Sequence, residues 1–115
     1  MSEINGIYAC YMAGLHDQGF MLIMLRDGVI AGADPFGVTF DGVYSRSSDG
    51  PGYKGRIEVR APPGGTTIQR VQTCPSGLQY FVDVVLPDQI SSEETLEIKT
   101  PLGPVNARLS KIRGL

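Results

Sequence analysis

Turn signals recur along this chain so often that no long helix fits between them. The sequence carries 15 glycines and 8 prolines in 115 residues, and punctuation of that density cuts every regular run short, favouring many brief strands over a few helices. Between the turns the apolar residues alternate with polar ones. Arg56-Ile57-Glu58-Val59-Arg60-Ala61 reads as a strand with Ile57, Val59 and Ala61 facing inward and its charges facing water.

The same reading places strands over Gly6–Met12, Gly19–Leu25, Val29–Ala33, Val38–Ser45, Leu78–Leu86, Leu96–Lys99 and Val105–Ile112, with a weaker one over Thr67–Thr73. Asp27-Gly28 suits a primed hairpin turn, which needs positive φ, and Asp34-Pro35-Phe36-Gly37 a second turn whose aspartate accepts backbone N–H bonds. Ser91 and Glu94 have capping-box spacing, so 87–94 is either a helical turn or a polar loop. About eight or nine short strands joined by hairpin-length loops predict an all-β fold. Its expected form is a small antiparallel up-and-down β-barrel, whose closure removes exposed edges. The length fits one domain, 1–115.

Charge and cysteine usage narrow the function. The formal net charge is −2 with no run of like sign, which argues against a nucleic-acid surface or a polybasic membrane anchor. The start Met-Ser-Glu-Ile-Asn has neither the basic nor the long apolar stretch of a signal peptide. Phe20–Leu25 is too short to span a bilayer. Cys10 and Cys74 belong to no CxxC or Cys/His motif, so a cytoplasmic chain with free thiols is expected.

Reactive constellations are missing. The sole histidine, His16, lies between Leu15 and Asp17 in a predicted turn and reads as solvated, since a catalytic base needs a fixed partner and a shaped pocket. One histidine and two separated cysteines give no metal-ligand spacing. Gly50-Pro51-Gly52-Tyr53-Lys54-Gly55 matches GxGxxG literally, but a strand follows where a phosphate cradle needs a helix N-terminus. Glu58, Glu93 and Glu94 read as surface charges with nothing to suggest convergence. The expectation is a non-enzymatic protein without cofactor or metal.

The apolar residues carry the remaining signal. Tyr8, Met12, Tyr44, Val59, Tyr80 and Val82 are the candidate barrel-lining side chains. An eight-stranded barrel can either pack solid or hold one small ligand. A filled interior is the first expectation and an adaptable cavity the alternative. Phe20, Met21, Leu22, Ile23, Met24 and Leu25 cannot all face one interior. Either Phe20, Leu22 and Met24 or Met21, Ile23 and Leu25 must lie outside, where a second copy would cover them. Phe20, Met21, Leu22, Ile23 and Met24 are therefore the candidate homodimer face.

Three segments carry a family resemblance. They are Asn5-Gly6-Ile7-Tyr8, then Leu25-Arg26-Asp27-Gly28-Val29-Ile30-Ala31-Gly32-Ala33-Asp34, then Phe40-Asp41-Gly42-Val43-Tyr44. The chain resembles the GrlR-like family, named for negative regulators of type III secretion gene expression. The likeness is densest in the first 45 residues. It implies a calycin-like β-barrel that dimerises and acts by protein–protein contact, in the founding regulators with a helix-turn-helix transcriptional activator through an acidic surface motif. That motif would fall just after Tyr44. Here the chain reads Ser45-Arg46-Ser47-Ser48-Asp49-Gly50, one carboxylate beside an arginine, so no residue is carried over. Two functions follow as expectations: a regulatory module binding another protein, or a carrier or sensor holding one small apolar ligand.

Overall fold

Asp27 and Gly28 adopt φ values of 49° and 87°, the paired positive angles of a type I′ turn, whose twist matches that of the strands it joins. This turn links β2 (Gln18–Arg26) to β3 (Val29–Ala33). The computed structural model describes residues 4–14, 18–62 and 77–115. Around that hairpin it builds β1 (Gly6–Ala13), β4 (Thr39–Arg46), β5 (Tyr53–Ala61), β6 (Leu78–Leu86), β7 (Leu96–Ile98) and β8 (Val105–Gly114). All eight strands join one antiparallel sheet in the order β6-β5-β4-β3-β2-β1-β8-β7. The sheet curls into a nearly closed barrel, an all-β fold as the alternation predicts. The seam falls between β6 and β7, which approach each other but share no ladder.

Alternation sends every second residue inward, and register aligns these residues into a continuous interior. Tyr8 pairs with Ile23, Ile23 with Gly32 and Gly32 with Phe40. Glycine at 42 serves the tight curvature, because a Cβ there would run into the Arg56 carbonyl of the next strand. Strand β5 begins at Tyr53, three residues earlier than its charge alternation suggests, because Lys54 and Gly55 pair with Ser45 and Tyr44.

The segment 87–94 is a polar loop. Its turn is held by the Glu94 amide donating to the Ser91 carbonyl at 3.2 Å and the Glu93 amide donating to Ser91 Oγ at 3.2 Å. The expected strand over Thr67–Thr73, His16 and Cys74 lie outside the described residues. No helix among the described residues is long and apolar enough to cross a membrane.

Candidate functional site

One end of the barrel is plugged. Asn5, 6% exposed, is the one buried polar residue among those described, and both ends of its side-chain amide are hydrogen-bonded. Its Nδ2 donates to Asp27 Oδ1 at 2.9 Å, while its Oδ1 accepts from the Asp27 amide at 3.1 Å and from the Tyr44 hydroxyl at 3.2 Å. The Tyr8 hydroxyl donates to the Ile4 carbonyl at 2.8 Å. Burial, and then the neighbouring Tyr44, push the Tyr8 phenol above its ordinary pKa. Tyr53 closes on Tyr44 edge-to-face with ring centroids 5.6 Å apart, and the Arg46 guanidinium covers Tyr53 at 4.6 Å. Aromatic bodies exclude water here while each polar tip finds a partner.

Above this plug the interior is hollow. The described residues line an open-ended cavity of about 1090 Å³, slightly above the usual range for small-molecule sites. Its walls are hydrocarbon: Met21, Ile23, Leu25, Ile30, Val84 and Leu109 among others. The filled interior expected from composition is thus corrected. Eight strands set the barrel's diameter, and the wall residues, which include the small Ala107 as well as Val59, Val82 and Val84, do not reach across it.

Of the six predicted lining residues, Met12, Val59, Tyr80 and Val82 bound the cavity. Tyr8 and Tyr44 also point inward, but into the plug. Cys10 bounds the cavity as well; burial pushes its thiol up to about 12, so it presents as a neutral, inert sulfhydryl at neutral pH. The sequence reading missed Ile30, Val38 and Phe40 as wall residues, although the alternation of Val29–Ala33 places Ile30 on the side opposite Val29.

Polar groups collect at two places. At the rim, Asp34 Oδ1 accepts the amides of Phe36 at 2.8 Å and Val38 at 3.0 Å, the turn role expected of it. At the β6–β7 seam, Asp83, Thr95, Glu97 and Lys99 bound the opening. Among the described residues no three potential His, Cys, Asp or Glu metal ligands come together. The glycine-rich stretch 50–55 runs from a loop directly into β5, with Gly52 at φ 88° against the Leu86 carbonyl.

The predicted dimer face divides. Met21 and Ile23 are buried inside, alongside Leu25, so their assignment to the outer face is corrected: period-two alternation turns them toward the axis. Phe20, Leu22 and Met24 lie outside, Phe20 and Leu22 being 39% and 46% exposed. Register extends this stripe sideways. Tyr11 pairs with Phe20, Ala9 with Leu22 and Ile7 with Met24 on one side, and Ala33 and Ala31 flank Leu22 and Met24 on the other. The outer surface of β1, β2 and β3 is apolar across all three strands. It is bordered by Arg108, Ser110 and Arg113 on β8 and by Thr39 and Asp41 on β4.

In the segment after Tyr44, Asp49 is tied to its own loop. It accepts from Ser47 Oγ at 2.7 Å and from Lys54 Nζ at 3.1 Å, and these two bonds lower its pKa, that from Ser47 most. Neither a family model nor a curated protein matches the sequence.

Proposed function

We propose that this protein is a non-enzymatic cytoplasmic binding protein that holds one apolar small molecule inside its barrel. The observation that carries this reading is the hollow hydrocarbon interior, about 1090 Å³ in volume, closed at one end by the Asn5–Tyr44 plug. Transfer of an apolar ligand from water to such walls is favourable by about 25 cal/mol per Å² buried. The test is native mass spectrometry on protein purified without detergent or organic solvent. A reproducible extra mass of a few hundred daltons per chain supports the reading. A bare chain mass that stays bare after incubation with apolar probes sinks it.

A second reading rests on the outer face. The three-strand apolar surface of β1, β2 and β3 is of the kind that marks protein contacts, and a second copy related by a two-fold axis would bury it on both sides. A GrlR-like regulator would use such a dimer and a further surface to hold another protein, such as a transcriptional regulator. The ion-paired Asp49 loop gives no support to the acidic capture motif of that family. The two readings are compatible, because one uses the inside of the barrel and the other the outside.

A further inference from the structure

The cavity is bounded at the seam by residues that alternation turns outward: Phe81, Asp83 and Val85 on β6, and Glu97 on β7 with Thr95 and Lys99 just beyond its two ends. On β6 every residue from Tyr80 to Leu86 borders the cavity, as does every residue from Thr95 to Thr100, whereas β1 and β5 contribute only alternate residues, so among the described residues the space continues outward between β6 and β7. The ladder record agrees, since β6 and β7 are the two unpaired ends of the sheet. The described residues therefore leave a side opening as well as a rim.

The two openings differ in chemistry. The rim is aromatic and thioether-rich through Met12, Phe20, Phe36 and Phe40, and its carboxylate Asp34 already accepts two backbone amides. At the seam, Thr95, Glu97 and Lys99 are exposed. None of the three makes a side-chain hydrogen bond or ion pair with another described residue. Across from them Asp83 stands 4.0 Å from Arg56. Both charge signs thus occur on both sides of the seam. A head carrying net charge meets a like charge, which repels it, whichever sign it bears, whereas an uncharged or zwitterionic head that donates and accepts finds partners of each kind.

Resting on the small-molecule reading above, we propose that the cavity takes an amphiphile with one apolar body and a single uncharged or zwitterionic polar end, seated body-inward with that end in the β6–β7 seam. The deep walls offer no free hydrogen-bonding partner for a polar group, and burying one unpaired is costly. The ligand's polar end is thereby driven to an opening, and among the described residues the seam is the one where uncommitted donors, on Thr95 and Lys99, stand beside an uncommitted acceptor, Glu97; at the rim the Asp34 carboxylate can only accept.

The test uses two long-chain alcohols, one carrying a photoreactive diazirine beside the hydroxyl and the other at the far end of the chain. Each is irradiated with the intact protein, and the labelled peptides are mapped by mass spectrometry. The proposal expects the hydroxyl-end probe on Asp83–Val85 and on 95–99, and the far-end probe on interior residues such as Leu25, Ile30 and Leu109. Hydroxyl-end labelling at Gln18, Asp34 or Phe36 overturns the orientation. In parallel, displacement of a neutral naphthylamine fluorophore compares the alcohol with the carboxylate of equal length. The alcohol is expected to displace it at several-fold lower concentration; an equal or stronger carboxylate overturns the ligand class while leaving small-molecule binding intact. If neither the fluorophore nor the alcohol binds, the small-molecule reading falls, and this inference with it.

Discussion

Asn5 and Asp27 exchange two hydrogen bonds, Nδ2 to Oδ1 at 2.9 Å in one direction and backbone amide to Oδ1 at 3.1 Å in the other. The pair ties the segment leading into β1 to the β2–β3 turn, and the Tyr44 hydroxyl adds β4 to the same oxygen. Substitution Asn5→Ala leaves the Asp27 amide and the Tyr44 hydroxyl without their partner. Each such orphan costs about 1–3 kcal/mol when buried; Asp27 is exposed, so water can take up its amide, and a loss of about 1–3 kcal/mol, mainly from the Tyr44 hydroxyl, is expected. Urea denaturation measures it. A loss below about 0.5 kcal/mol, the scale of ordinary surface changes, would show that the plug is not held this way.

Val59 and Val82 face the cavity, so larger side chains there enter empty space. Val82→Phe is expected to abolish uptake of a neutral fluorescent probe while leaving the melting temperature unchanged or raised. In a solid core the same substitution would cost about 1–3 kcal/mol through overpacking. Thermal melts and probe titration on the one variant separate these outcomes: destabilisation with probe binding unchanged would mean that the interior at Val82 is packed and that the probe binds elsewhere.

Leu22 lies at the centre of the outer apolar surface, between Ala9 and Ala33. If the two-fold reading holds, placing a charge there with Leu22→Arg converts the proposed dimer to monomer with stability of the chain changed by less than about 1 kcal/mol, because an outward side chain has no core packing to lose. Sedimentation equilibrium of both proteins decides it. A wild-type protein that is monomeric at high concentration removes the two-fold reading.

Cys10 gives a pH signature. Its thiol ionises at about 12 in the folded protein against an ordinary value of 9.0. The unfolded chain releases this proton first, so stability is unaffected below about pH 9 and falls as pH rises from there toward 12, with a slope approaching about 1.4 kcal/mol per pH unit. Tyr8 acts in the same direction at higher pH, its phenol being raised by burial. The difference between wild type and Cys10→Ala isolates the cysteine. Equal pH slopes in the two proteins would contradict the burial of this thiol. The native protein should likewise react slowly with a thiol reagent at pH 8.

The residues that carry the family resemblance turn out to hold the barrel's closed end. Asn5, Asp27 and Tyr44 meet in one hydrogen-bonded cluster, Gly28 supplies the turn's second positive φ, and Gly42 allows the next strand to approach. Such positions are dictated by backbone geometry and buried polarity, which explains why they are legible as a motif and why they report architecture more than activity.

Strand existence, inward and outward faces and the turn at Asp27-Gly28 were determined by the sequence itself, because period-two alternation and positive-φ requirements act over a few residues. Even the alternation of Phe20–Leu25 was local; which of its two faces lies inside was not, since both are apolar and only the pairing of Ile23 with Tyr8 and Gly32 turns Met21, Ile23 and Leu25 toward the axis. Whether the interior is full or hollow is a sum over eight strands, set by barrel diameter against side-chain volume, and no single segment contains it. The seam belongs to the same class. Leu96–Ile98 follows Leu78–Leu86 in the chain, yet among the described residues β7 pairs with β8 and shares no ladder with β6, and that is what leaves the side opening.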